Sequence, residues 1–144
     1  MTNSITIACS KANLITVRGF INKSLKEIGL RTTDLNLIVL AIDEVCANLI
    51  IHSNGCNENK HLRLTCDYRP ESYDLSITIK DQGNLFDYQK YNEPELNNII
   101  KEKQKGGIGL ILVRKIMDNI EYTKHDNQNV TTLSKKINPQ SLAS

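Results

Sequence analysis

The chain has no Cys-x-x-Cys pairing, no basic start followed by an apolar run, and no marked excess of charge of either sign. The four cysteines, Cys9, Cys46, Cys56 and Cys66, stand singly, so a structural zinc site is not expected. Cys46 and Cys66 fall inside apolar stretches and read as small buried hydrophobes. Met1-Thr2-Asn3-Ser4 does not open a signal peptide. No stretch approaches the roughly 20 apolar residues that a membrane helix needs. With 18 Lys and Arg against 16 Asp and Glu, the net charge is only +2, and no face gathers a basic footprint for DNA. The expectation is a reduced, cytoplasmic, soluble protein that binds neither nucleic acid nor membrane.

What is present is ordinary for a globular domain. At 144 residues, with 40% hydrophobic and 24% charged residues, one domain can bury a core without staples. Ser4–Cys9 alternates weakly, as a short edge strand does. Ser10 caps a helix whose Leu14, Val17, Ile21, Leu25 and Ile28 form one stripe, and Gly29 ends it. Thr33 caps a second helix to about His52, and Asn54-Gly55 marks a turn. Leu62–Tyr68 and Tyr73–Ile79 alternate on either side of Arg69-Pro70-Glu71-Ser72, a hairpin with one buried face. Gln82–Lys105 is polar and irregular apart from a short helix after Pro94, and a connection that long is functional or disordered. A third helix opens at Gly106, and Ile120–Lys124 and Val130–Ile137 form a last hairpin turning through Asp126–Asn129. The predicted fold is α+β, a two-layer sandwich of a mixed sheet with helices on one face. It spans residues 1–137, with 138–144 a disordered tail.

Three features break the local rules. The second helix is apolar around most of its circumference, which predicts burial, yet Glu44, Asn48 and His52 recur in it at four-residue steps along one face. Burying such groups without partners costs several kcal/mol, roughly. They form either a polar seam bonded to neighbouring strands or a site, and the column favours a site. Asp81 continues the inward parity of its strand, with Gly83 two residues on. It is either a turn-forming Asp or an acceptor beside a glycine that admits a planar ring. Lys105-Gly106-Gly107-Ile108-Gly109 opens an apolar helix with free backbone N–H groups. That is either a flexible loop or an anion site. It matches neither the dinucleotide fingerprint nor a Walker loop. Together the three supply an ion site, a base site and a phosphate site, with Gln82–Lys105 placed to close over a nucleotide.

In this order the motifs resemble the GHKL ATP-binding superfamily of gyrase, the heat-shock chaperone, histidine kinases and MutL. Glu44-Val45-Cys46-Ala47-Asn48 with His52 is similar to its N box, and Asp81-Gln82-Gly83 to its first glycine box. Gly106-Gly107-Ile108-Gly109-Leu110 is similar to the second. Asp81-Gln82-Gly83-Asn84-Leu85-Phe86-Asp87, and the run from Gly106 ending in Met117-Asp118 and Tyr122, resemble the anti-sigma-factor serine/threonine kinases over residues 5–137. The resemblance implies ATP and Mg²⁺ as ligands. It implies Glu44 as general base, Asn48 on Mg²⁺, Asp81 on the adenine amino group and Gly83 beside the ring. It also implies Gly106, Gly107, Ile108, Gly109 and Leu110 at the phosphates with Lys105 adding charge, and Thr131 near the adenine. Such a sparse set suffices for phosphoryl transfer, which needs mostly positioning and charge neutralisation.

The implied role is a kinase that holds a sigma factor, phosphorylates a STAS-type anti-anti-sigma partner on Ser or Thr, and acts as a homodimer. Two departures stand out. Leu14 occupies the place where the family often carries an Arg, with Arg18 about one turn on, and the connection between the first two helices is longer. The alternative is a non-catalytic ATP-binding module that sequesters a partner. A histidine-kinase catalytic domain fits less well, because none of His52, His61 or His125 begins a dimerisation helix. A gyrase- or MutL-type hydrolase would need a second domain.

Overall fold

The computed structural model describes residues 1–83 and 107–143, with the side chains of residues 107–110 outside the described set. The expected segment Gln82–Lys105, its short helix, the Phe86-Asp87 motif, Lys105 and Gly106 fall wholly or mostly outside the described residues. Five strands form one sheet: β1 (Thr2–Ala8), β2 (His61–Arg69), β3 (Asp74–Asp81), β4 (Asn119–His125) and β5 (Gln128–Lys136), in the order β1-β2-β3-β5-β4. Among the described residues the α-helices are α1 (Leu14–Glu27), α2 (Thr32–Asn48) and α3 (Gly107–Ile116). The α+β class stands.

The expected mixed sheet does not, because all four ladders are antiparallel. Two helices lie between β1 and β2. Packed as neighbours through a short connection, α1 and α2 run antiparallel, so the chain returns to the end it left and β2 runs back beside β1.

Alternation decides which face of the sheet meets the helices. Leu62, Leu64, Cys66 and Tyr68 on β2, Leu75, Ile77 and Ile79 on β3, and Leu133 on β5 are buried. They meet Val17, Ile21 and Leu25 of α1 and Leu35, Ile38, Ala41, Ile42, Val45 and Cys46 of α2 in one core. Helix α2 is less enclosed than its composition predicts, since Leu37 and Leu40 are exposed, as is Ile51 in the turn that follows. With its last turn it forms a continuous helix, Thr32–Ser53, long and apolar enough by length and composition to cross a membrane. The sequence had suggested that no segment reaches that length. Half of that apolar window is buried in this fold.

The boundaries have local causes. Ser10 accepts from the Ala12 N–H at 3.3 Å and caps a 3₁₀ turn, Lys11–Asn13, that leads into α1. Gly29 adopts φ +81° past the end of α1. The Leu30 N–H donates to Leu25 O at 3.1 Å and the Gly29 N–H to Lys26 O at 3.0 Å, a Schellman closure. Helix α2 starts at Thr32 with Arg31 at the cap position and no side-chain cap bond, so Thr33 is not the cap. Tyr73 takes φ +61° and belongs to the β2–β3 turn, so β3 begins one residue later than expected. The β4–β5 turn has two residues, Asp126 and Asn127, at φ +51° and +63°. Such two-residue turns match the twist of a hairpin. The turn is therefore shorter than the expected Asp126–Asn129, and β5 begins at Gln128.

Residues 138–143 are not a disordered tail. Asn138 Oδ1 accepts from the Gln140 N–H at 2.9 Å and caps a 3₁₀ turn over Pro139–Ser141. Ser141 O then accepts from the Arg31 N–H at 2.8 Å, and the Ala143 N–H donates to Gly29 O at 2.7 Å. Leu142 bridges Leu30. This strap lies across the α1–α2 connection.

Candidate functional site

At its C-terminal end α2 changes pitch. Residues Leu49–Ser53 form a π turn, in which the Asn54 N–H donates to Leu49 O at 3.0 Å. Single π turns in α-helices are frequent at functional sites. The wider turn buries Ser53 and Asn54 beside the end of β3.

There Asp81 is 1% exposed, as its strand parity predicts. Its Oδ1 accepts three N–H groups: Gly83 N at 2.8 Å, Asn54 Nδ2 at 3.2 Å and Asn129 Nδ2 at 3.3 Å. Asn129 lies directly across the ladder from Asp81 and also donates to Gly83 O. The other carboxylate oxygen, Asp81 Oδ2, is buried and has no hydrogen-bond partner. A Cβ at Gly83 would lie 2.2 Å from Ser53 O and 2.6 Å from Asn54 Oδ1. Among the described residues, then, the close approach that requires glycine at 83 is to the π turn itself, a reason the sequence did not suggest.

Thr131 follows Asn129 on the inward face of β5, opposite Ile79. It is 1% exposed, and its Oγ1 has no partner. Asn48, in the last turn of α2 before the pitch changes, is 6% exposed with its Nδ2 unpartnered. Asp81 Oδ2, Thr131 Oγ1 and Asn48 Nδ2 are thus buried polar atoms left open. Native interiors rarely leave such atoms unpaired, and each calls for an explanation.

Glu44, one turn before Asn48, is half-buried. Burial pushes its carboxyl above the usual range, and the neighbouring Asp43 adds to the rise. Asp43 is itself paired with Arg18 at 2.9 Å. Arg18 therefore reaches α2 beside Glu44, although the sequence placed it a turn from the family's arginine. His52 falls on the π turn and is exposed. Gly107, Ile108, Gly109 and Leu110 make the first turn of α3, whose N–H groups have no intrahelical partner.

Three of the four cysteines are buried. Burial pushes the Cys9 thiol up to about 11 and the Cys66 thiol up to about 12, and it raises Cys46 as well. No His, Cys, Asp or Glu cluster among the described residues could hold a metal.

Asn54 and Asn129 were missed as site residues. Asn54 read as half of an Asn-Gly turn, and nothing in the sequence announces the π turn that turns it inward. Asn129 had a signal. It shares the parity of Thr131 and Leu133, but the polar run Asp126–Asn129 reads as a four-residue turn.

The model of the histidine kinase-like ATPase domain family matches residues 7–135. Among curated proteins, the serine-protein kinase RsbW of Halalkalibacterium halodurans is 27% identical over 125 residues, covering 84% of this chain and 72% of that one. The serine/threonine-protein kinase BtrW of Bordetella bronchiseptica is 29% identical over 104 residues, 72% of each chain. An anti-sigma F factor of Clostridium perfringens is 28% identical over 107 residues, 73% of this chain and 74% of that one. Among solved structures, the RsbU and RsbW domains of a Mycobacterium tuberculosis protein superpose with a TM-score of 0.65 at 16% identity. That match covers 100% of this chain but only 35% of that one. The SiaB–SiaC complex of Pseudomonas aeruginosa matches with a TM-score of 0.59 at 11% identity, over 94% of this chain and 89% of that one. These two likenesses bear on the fold.

Proposed function

This chain belongs to the histidine kinase-like ATPase domain family, and on that premise we propose that it binds Mg-ATP and transfers the γ-phosphoryl group to a Ser or Thr of a partner protein. The observation that carries the reading is that Asp81 Oδ2, Thr131 Oγ1 and Asn48 Nδ2 are buried and unpartnered, as are Ser53 Oγ and Asn54 Oδ1 beside Asp81. Asp81 Oδ2 suits the 6-amino group of adenine and Thr131 Oγ1 a ring nitrogen. Asn48 suits Mg²⁺, because turning its amide about the last bond presents oxygen in place of nitrogen. Mg²⁺ supplies charge neutralisation at the phosphates. The first turn of α3, Gly107–Leu110, receives phosphate on its N–H groups, with Gly106 and Lys105 preceding it.

Glu44 accepts the proton of the attacking hydroxyl. The hydroxyl oxygen bonds to the γ-phosphorus as the bond to the β-phosphate oxygen breaks, leaving ADP and a phosphate ester. The relatives named anti-sigma F factor and RsbW kinase support a regulatory setting. In that setting the chain, as a cytoplasmic homodimer, holds a sigma factor and exchanges it for a STAS-domain anti-anti-sigma protein, its phosphorylation substrate.

The test is labelled ATP with the cognate STAS partner. Label is expected on the partner with the parent chain and lost by 10²-fold or more, roughly, in Glu44→Gln. If Glu44→Gln labels as well as the parent, Glu44 is not the base. If the parent binds ATP and never labels the partner, the chain is a non-catalytic nucleotide-binding module.

A further inference from the structure

The geometry points to Asn54 and Asn129 as a two-amide clamp that holds Asp81 in one orientation and so makes its free oxygen select a 6-aminopurine over a purine without that group. The proposal rests on the nucleotide-binding reading of the same pocket. Most buried side-chain polar atoms have a hydrogen-bond partner, and one that has none calls for an explanation. Here three N–H donors converge on Oδ1 and none on Oδ2.

The two amides are themselves fixed. Asn54 Nδ2 has two hydrogens, one toward Asp81 Oδ1 and one toward Leu49 O at 2.8 Å. Asn129 Nδ2 likewise serves Asp81 Oδ1 and Gly83 O. Flipping either amide would set its oxygen against two acceptors, so the surroundings decide the orientation. The clamp joins three elements: the π turn after α2, the end of β3 and the start of β5. Without it, the carboxylate is held by the Gly83 N–H alone, its plane can swing, and the oxygen offered to a ligand loses its fixed direction; a half-turn by itself changes nothing, because the two oxygens are equivalent.

Calorimetry on the full chain tests this with ATP and with purine riboside triphosphate, which carries hydrogen in place of the 6-amino group. In the parent, removing the amino group is expected to weaken binding about 20-fold, as for a hydrogen bond to a charged group. In Asn129→Ala the same removal is expected to cost about threefold or less. A merely structural role for Asn129 would weaken both ligands together and leave their ratio at the parent value. An unchanged ratio in Asn129→Ala, with ATP still bound by the parent, overturns the clamp and leaves the nucleotide reading intact. A parent that binds neither ligand overturns the nucleotide reading. Thermal unfolding is followed for each variant. Should Asn129→Ala not fold, Asn54→Ser removes the second amide while keeping a small polar side chain, and its ratio is read by the same criterion.

Discussion

Glu44 and Asp43 are sequence neighbours in α2 with opposite assignments. Asp43 pairs with Arg18 at 2.9 Å, while Glu44 is raised by burial first and by the Asp43 charge second. A general base acts in its deprotonated form, so transfer should rise with pH through the elevated Glu44 value. Removing the Asp43 charge removes one cause of the rise. Asp43→Asn is therefore expected to move the ascending limb of the kcat/KM profile to lower pH, and a limb that stays in place would detach Asp43 from Glu44. The same shift bears on stability. A carboxyl whose folded value lies above its unfolded value contributes stability that is present at low pH and lost as pH rises through the folded value. Glu44→Gln should accordingly unfold at a higher temperature than the parent at neutral pH, with the gap closing in acid. That is the usual exchange of stability for a functional group.

At the scale of elements, what could be read beforehand was whatever a short periodicity controls. The α1 stripe, the two hairpins and the inward parity of Asp81 follow from spacings of 3.6 and 2, and all are present in the fold. What could not be read depends on partners distant in sequence or on one residue of pitch. The π turn displaces Asn54 by a fraction of a turn, and only the end of β3, 27 residues on, gives that displacement meaning. The polar run Asp126–Asn129 reads as a four-residue turn, whereas the turn is two residues and Asn129 lies in β5, where it pairs with Asp81.

Gly29 is the contrary case, since its role was legible and its geometry can be tested. At φ +81° an L side chain is strained, so Gly29→Ala should cost about 1–2 kcal/mol, read as a lower urea midpoint with an unchanged slope. A neutral result would mean that the Schellman closure of α1 relaxes without it.

The whole molecule is organised along α2. One end receives the strap of residues 138–143 through Arg31 and the α1–α2 connection. The other end carries Glu44, Asn48 and the π turn against Asp81 and Gly83. The 17 residues of α2, at about 1.5 Å each, put roughly 25 Å between them. A rigid helix of that length anchored at both ends makes the strap a support for the fold and leaves the pocket chemistry to its own residues. Removing residues 138–144 exposes Leu30 and opens two backbone hydrogen bonds, Arg31 N–H to Ser141 O and Ala143 N–H to Gly29 O. The expected loss is about 1–3 kcal/mol, a fall in Tm of about 3–10 °C for a domain of this size. ATP affinity measured well below the new Tm should stay within about twofold, because among the described residues the strap's hydrogen bonds go to Gly29 and Arg31 and to none of Glu44, Asn48, Asp81 or Thr131. A truncation that leaves Tm unchanged but weakens ATP about tenfold would show instead that the strap sets the position of α2 over the pocket, and that the two ends of the helix are energetically coupled.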